Sequence, residues 1–201
     1  MAVISGGTTL IDNGALDSGV ATGNLVLLST QTASSSASIS FTSNIDSTYD
    51  SYIFKIINVH PSADGADFTF NMSTDGGSSY NVTKTSSQYN ARHAEDDGTA
   101  TLSYIDNNDL AQGTGFQIIG DGVGGSSDEC GVGTLQIFKP SDTSFIKQFI
   151  CNFQNYRTND NSYNVYSAGY GNTSSAINAV QFKFSSGNID SGTIKMYGVA
   201  S

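Results

Sequence analysis

The acidic residues of this chain restrict its fold more than any other feature. Only two of the 18 are glutamates, Glu95 and Glu129, and the other 16 are aspartates. Ser, Thr, Asn and Gly supply a further 88 of the 201 residues. Asp, Asn, Ser and Gly disfavour a helical backbone, whereas Glu, Lys, Gln and Arg favour it. The sequence therefore predicts an all-β protein with many turns.

Short segments with strand character follow one another along most of the chain. Residues 37–41 alternate between apolar and polar side chains, and 52–59 is the strongest strand candidate. The series amounts to about eleven strands, a spacing typical of sandwiches and jelly rolls. We predict one domain, residues 24–201, folded as an antiparallel β-sandwich of jelly-roll type. The other predicted strands cover 25–28, 66–72, 80–85, 116–119, 132–139, 144–152, 165–170, 179–184 and 193–199, with shorter ones near 88–93 and 101–105.

Residues 1–23 have a different pattern and are expected to form an extended N-terminal arm. Five glycines interrupt this segment, and its apolar residues stand alone between them. Such an arm is either disordered or lies along a neighbouring subunit. The apolar residues expected to make that contact are Ile4, Leu10, Ile11, Leu16 and Val20.

The formal net charge of -10 argues against two classes of partner. Lys and Arg total only eight, so affinity for nucleic acid or for an anionic membrane surface is not expected. The first residues lack the cationic start and apolar core of a secretory signal, and no apolar run is long enough to span a membrane. We therefore expect folding in a cytoplasm, where strong acidity keeps a concentrated protein soluble.

Residue types that carry catalysis or bind metals are few. The two histidines, His60 and His93, are far apart in the sequence, and only His93 lies near several acids. The segment 106–109 has calcium-type oxygen ligands but lacks the Gly and the distal Glu of a calcium loop. No nucleophile elbow or local Cys-His signature occurs. We expect a non-enzymatic protein without a cofactor, and a hydrolase with a carboxylate pair is the rival interpretation.

Residues 152–164 are rich in Asn and Tyr, and we predict that they form a long surface loop. Tyr faces and Asn amides bind sugars, and the same residue types serve protein interfaces. Glycan binding, protein contact and a plain solvated loop are all open at this point. The candidate recognition residues are Tyr156, Asn159, Asn161, Tyr163 and Tyr166.

The two cysteines, Cys130 and Cys151, flank a predicted hairpin that turns at 139–143. An antiparallel register around that turn would place them roughly opposite each other. A disulfide and two free thiols are both compatible with this pattern.

Several motifs resemble those of a known group of proteins. The ending Ser185–Val199 resembles the closing strand of small β-rich virion proteins of tailed phages, especially those of marine bacteria and cyanobacteria. The resemblance covers nearly the whole chain and consists mostly of turn and strand residues. Its other segments are 6–12, 49–52, 58–61, 73–80 and 172–179.

This resemblance implies a structural protein on the exterior of a virion that is assembled in the host cytoplasm. A capsid decoration or cement protein is the favoured role, and a tail-associated protein that binds a receptor or glycan is the alternative. The implied partners are other virion proteins, such as the major capsid protein or a tail protein, together with further copies of this chain, with a trimer favoured. The group offers no catalytic residues to transfer.

Overall fold

The computed structural model describes residues 3–5, 8–12, 15–16 and 25–199, which are built mainly of β-strands. Within these ranges there is no α-helix, so none is available to cross a membrane, and one 3₁₀ turn covers Asp106–Asn108. The all-β prediction is confirmed. The strands are β1 (Val3–Ser5), β2 (Thr8–Asp12), β3 (Ala15–Leu16), β4 (Leu25–Thr32), β5 (Ile39–Phe41), β6 (Ser51–Pro61), β7 (Ala66–Ser73), β8 (Lys84–Ala94), β9 (Ala100–Tyr104), β10 (Gln117–Val123), β11 (Gly131–Phe138), β12 (Lys147–Arg157), β13 (Asn161–Gly171), β14 (Ala179–Phe184) and β15 (Ile189–Val199).

Strand pairing among the described residues is antiparallel throughout. Strands β4 to β15 form one sheet of twelve strands, and β1, β2 and β3 pair with one another separately. Ile4, Leu10, Ile11 and Leu16 of the predicted arm fall in β1–β3, and the side chain of Ile4 is exposed. Val20 lies outside the described residues.

The twelve-stranded sheet curls back on itself and nearly closes as a barrel. β12 pairs with β13 over its whole length but with β10 through only Val123 and Arg157. At the far end, one bridge between Ser36 and Ile189 joins the segment before β5 to β15. We call β9-β8-β13-β12-β11-β6-β15-β4 the broad wall and β10-β7-β14-β5 the narrow wall. The strand pairing gives one continuous antiparallel sheet, and the jelly-roll sandwich stays a prediction.

Phenylalanine rings fill the space between the two walls. Phe68 of the narrow wall stacks on Phe153 of the broad wall, with ring centroids 5.5 Å apart. Phe54 of the broad wall and Phe182 of the narrow wall also meet, with tilted rings whose centroids are 5.4 Å apart. All four rings are fully buried, and each removes a large apolar area from water. This aromatic core explains how a chain of modest hydrophobicity holds the walls together.

Three glycines make room for the ring of Phe153. A Cβ atom at Gly120, Gly131 or Gly133 would overlap this ring. Gly131 and Gly133 lie on β11, next to Phe153 on β12, and Gly120 lies on β10. The glycines of the segment 120–133 are typical of a loop, but the two ends of this segment are strands whose glycines admit a large side chain.

The sequence Asp75-Gly76-Gly77 between the predicted strands 66–72 and 80–85 is typical of a hairpin turn, but these two segments do not pair as a hairpin. β7 pairs instead with β10 and β14, and the next strand begins only at Lys84. Asp75 folds the intervening segment locally, because its carboxylate accepts hydrogen bonds from the Ser73 hydroxyl at 2.6 Å and from the Ser79 amide at 2.9 Å. These short-range bonds compete with a hairpin ladder.

The hairpin between β11 and β12 is longer than predicted, which separates the two cysteines. Its loop spans 139–146, and the register pairs Leu135 with Cys151. The Cys130 carbonyl instead accepts a hydrogen bond from the Tyr156 amide at 3.2 Å. Cys130 and Cys151 are both free, and Cys151 is buried. The predicted opposition of these cysteines is therefore wrong by several residues.

Candidate binding surfaces

The Asn- and Tyr-rich segment is a hairpin rather than the predicted loop. β12 and β13 pair at eleven consecutive positions, and only residues 158–160 turn between them. The turn closes with Asp160 at φ 56°, a left-handed conformation that Asp tolerates. Side chains therefore alternate between the two faces of the sheet, and the candidate recognition residues are divided between them.

Asn161 and Tyr163 are buried on the inner face, whereas Tyr166 is exposed on the outer face. Asn159 lies in the exposed turn, and Tyr156 is half-buried. Strand alternation places Asn161 on the inner face, where its amide donates a hydrogen bond of 2.7 Å to the Asn159 carbonyl. The five residues therefore do not form one recognition loop.

A polar groove lies where β8 and β9 extend the inner face of the broad wall. A cleft of about 540 Å³ opens beside the β12–β13 turn, and a second of about 270 Å³ follows along β8 and β9. Arg92 lines both clefts, and we call the pair the groove. Besides Arg92, the first cleft is lined chiefly by Glu95, Asp96, Asn159, Asp160 and Asn161, and the second by Asn90, Thr101, Ser103 and Tyr163.

Strand register places these side chains together. Arg92 on β8 pairs with Tyr163 on one side and with Thr101 on the other. Asn161 pairs with Ala94, and the Glu95 amide donates to the Asp160 carbonyl at 3.0 Å. The β8–β9 turn and the β12–β13 turn therefore meet at one end of the groove.

Charges at this end are mixed. The hydroxyl of Tyr156 donates to Asp160 at 3.1 Å, and burial followed by the carboxylates of Asp160 and Glu95 raises the pKa of Tyr156 to about 12. Behind Tyr163, the Arg157 guanidinium lies 5.0 Å from the ring centroid and binds Asp121 at 3.0 Å. Burial, and then the Asp121 charge, raises the pKa of Tyr163. The tyrosine hydroxyls are thus neutral hydrogen-bonding groups at physiological pH.

The outer face of the broad wall carries exposed aromatic and aliphatic side chains. Tyr104, Tyr89 and Tyr166 occupy paired positions on β9, β8 and β13, so they form one row. Their exposed fractions are 63%, 45% and 41%. The rings of Tyr89 and Tyr166 stack at 5.0 Å, so they cover each other's faces and present their edges outwards. Further exposed apolar residues of this wall are Leu25, Leu27, Ile57, Leu102, Val132 and Ile150.

A third cleft brings together His60, Glu129 and Cys130. His60 Nδ1 lies 2.7 Å from the Glu129 carbonyl oxygen. Burial raises the pKa of the Cys130 thiol, which disfavours the reactive thiolate. This cleft therefore lacks the electrostatics that activate a cysteine nucleophile.

Metal ligands do not converge in the part of the chain that the structure describes. No group of three or more His, Cys, Asp or Glu residues is placed there to hold an ion. His93 Nε2 lies 2.9 Å from Asp97 on the exposed β8–β9 turn. In the calcium-type segment 106–109, Asp109 accepts a hydrogen bond from Tyr104, and Asn108 donates one to Asp121 at 3.1 Å.

Sequence patterns did not indicate Arg92, Glu95 and Asp160 as groove residues, or Tyr89 and Tyr104 as surface residues. The charged cluster around residues 92–97 was considered only as a metal site. Pairing of β8 with β13 was the missing information, because it brings this cluster to the Asn-rich turn.

Comparison with known proteins adds no further assignment. A scan of protein-family models, a search of curated proteins and a search of solved structures each gave no match to the chain.

Proposed function

We propose that this chain is a structural protein on the exterior of a tailed-phage virion and that it acts as a capsid decoration or cement protein. The observation that carries the proposal is the charge distribution of the broad wall. Its eight strands contain one acidic residue, Asp190, although the chain has 18. A surface that is poor in acids and rich in exposed Tyr, Leu and Ile has the composition of an interface core.

The remaining charges support a contact of this kind. Lys55 and Lys195 occupy opposite register positions on adjacent strands. They lie in the same cross-strand row as Tyr89 and Tyr166, on the outer face. Most of the acidic residues lie in turns, where they keep the free protein soluble. The proposed role needs binding through a broad face and no chemistry.

The N-terminal segment supports the same role by a separate argument. Ile4 is exposed, and a segment of this kind on a neighbouring subunit would enlarge a weak contact. Self-association, with a trimer as the proposed state, would multiply the contact further. We also propose that the curled sheet is a jelly-roll-type sandwich, which its facing walls and aromatic core support.

A charge placed in the broad face tests the proposal. Ile150 is 55% exposed on β12, within this face, and Ser174 is an exposed residue of the loop after β13. Ile150→Asp is expected to weaken co-sedimentation with particles that lack the protein by about 10-fold or more, because it places an unpaired charge in the contact. Ser174→Asp adds the same charge elsewhere and should bind as the wild type does. Equal binding of the two variants would refute the proposed contact face.

Deletion of residues 2–22 tests the contribution of the arm. The truncated chain should retain the circular dichroism spectrum of a folded β-protein and bind particles more weakly. Undiminished decoration by the truncated chain would show that the arm is not part of the contact.

A tail-associated receptor-binding protein is the second candidate function. The groove favours it, because a polar cleft with converging Arg, Asn and carboxylate groups suits a soluble ligand better than a flat protein surface. Binding of the purified chain to whole host cells would separate this role from decoration. Decoration requires binding to particles, and receptor recognition requires binding to cells.

A further inference from the structure

Three buried polar atoms along the groove have no hydrogen-bond partner among the residues that the structure describes. They are Nε of Arg92 and the Oδ1 atoms of Asn90 and Asn161. Both asparagines are only 4% exposed, and each lines one of the two clefts. Buried polar atoms of this kind are rare, because each one costs free energy unless a partner is supplied.

These atoms are distributed along the groove rather than gathered at one point. Three successive inner rows of the sheet hold Asn90, Arg92 and Asn161, since Asn161 pairs with Ala94. Successive rows are about 7 Å apart, so the three atoms without hydrogen-bond partners extend over roughly 13 Å. A ligand that satisfied all three would be an extended chain with polar groups along its length.

The charges of the groove select the class of ligand. Glu95, Asp96 and Asp160 outnumber Arg92, so an anionic ligand would be repelled. The described residues offer no cluster of ligands for a metal ion. Ala94 and Ile105 are the aliphatic side chains of the lining, and neither provides the deep apolar pocket that anchors a peptide.

A sugar hydroxyl both donates and accepts hydrogen bonds. It can donate to the Asn oxygens while accepting from the Arg92 guanidinium. Carboxylates such as Glu95 and Asp160 are further acceptors for hydroxyl groups. Charge-assisted hydrogen bonds of this kind are stronger than neutral ones.

We propose that the groove binds a neutral oligosaccharide, with Arg92, Asn161 and Asn90 as its main hydrogen-bonding contacts. Asp160 and Glu95 accept hydroxyl protons at the end of the groove beside the β12–β13 turn. This inference goes beyond the proposed decoration role, because the groove lies on the inner face and leaves the outer face free, and it names the ligand class of the groove on which the second candidate function rests. It holds whether the chain is mounted on the head or on the tail of a particle.

The test uses the full chain and a panel of soluble oligosaccharides. Neutral hexose and N-acetylhexosamine chains form one arm of the panel, and sialylated and sulfated chains form the other. Binding to at least one neutral chain is expected, and it should persist at high salt because no net charge is neutralised. Retention of anionic chains alone would contradict the proposal, as would a complete absence of binding to the panel.

A pair of variants then locates the site. Arg92→Met retains most of the aliphatic stem and removes the guanidinium, whereas His93→Met changes the next residue on β8, which faces outwards. Arg92→Met should weaken binding of the neutral chain by about 10-fold or more, as expected for a lost charge-assisted hydrogen bond, and His93→Met should not. Thermal unfolding checks that both variants are folded.

A second measurement guards against a misfolded variant. Hydrogen exchange of the wild type with bound ligand should slow in residues 92–99 and 158–162. Protection confined to the outer face, or equal affinity of Arg92→Met and wild type, would overturn the assignment of the groove.

Discussion

Lys84 is a lysine in the protein interior, and no described acidic residue forms an ion pair with it. Its side chain is 0% exposed, and Nζ donates to Asn71 Oδ1 at 2.5 Å and to the Val82 carbonyl at 2.7 Å. The nearest charge in its inner row is Lys147, since both residues pair with Gly171. Burial therefore lowers the pKa of Lys84 from 10.5 to about 7.

This shift makes the free energy of unfolding depend on pH. Between the folded pKa of about 7 and the unfolded value of 10.5, the unfolded chain binds more protons at this site than the folded chain does. Stability therefore rises with pH through this window and is lost as pH falls towards 7. The slope approaches about 1.4 kcal/mol per pH unit, which gives a gain of about 3 kcal/mol between roughly pH 7 and pH 9.5.

Lys84→Met isolates this effect. Urea unfolding at several pH values should give a slope that is smaller by about 1.4 kcal/mol per pH unit in the variant than in the wild type. Two contributions remain in both proteins: Lys147, whose pKa is also lowered by burial, adds a slope of the same sign, and the raised pKa of Cys151 adds a slope of opposite sign once the pH exceeds its ordinary value of 9.0. Lys55→Met, at an exposed position on the outer face, should leave the wild-type slope unchanged. Equal slopes in Lys84→Met and the wild type would refute the assignment of a neutral buried lysine.

Two further predictions concern packing and thiol chemistry. Gly131→Ala should lower the free energy of unfolding by about 1–3 kcal/mol, because the added methyl group overlaps the ring of Phe153. Gly115→Ala is the control, since open space surrounds this position and the cost should be far smaller. Similar urea midpoints for both variants would contradict the glycine packing. Without reductant, titration of the protein unfolded in urea should find two free thiols. In the native protein, Cys151 should be unreactive, because it is buried and its pKa is raised. Fewer than two thiols in urea would indicate a disulfide.

Local patterns in the sequence predicted many strands correctly. The segment 179–184 matches β14 at both ends, and 52–59 lies within β6. These segments combine apolar residues with nearby turn residues, so the strand signal does not depend on distant contacts. The aspartate-rich composition also excluded helices without knowledge of the fold.

The failures arose where distant pairing decides the structure. Residues 152–164 look like a loop because they contain five asparagines. They form strands because β13 pairs with β8 as well as with β12. The amide of the inward-facing Asn155 donates a hydrogen bond of 3.1 Å to the Asp121 carbonyl. The register around Cys130 and Cys151 depended on loop length, which the sequence does not specify closely. The groove could not be predicted, because β8 and β13 are separated by many residues in the chain.

Composition cannot predict the environment of an individual side chain, and the burial of Lys84 is the clearest example. Lysine is almost never fully buried without a partner, so a strand that begins with Lys84 suggests an exposed position. Asn71 and Val82 supply its oxygen acceptors, and Asn71 lies on β7 of the narrow wall. Only the folded arrangement of the two walls brings this acceptor to the amine.

A density map of the intact virion tests the proposed structural role most directly. The account predicts density for this chain on the particle exterior, with Tyr89, Tyr166 and Ile150 of the broad wall against another virion protein. A map in which this face points to solvent, or in which the exterior holds no density for the chain, would contradict it.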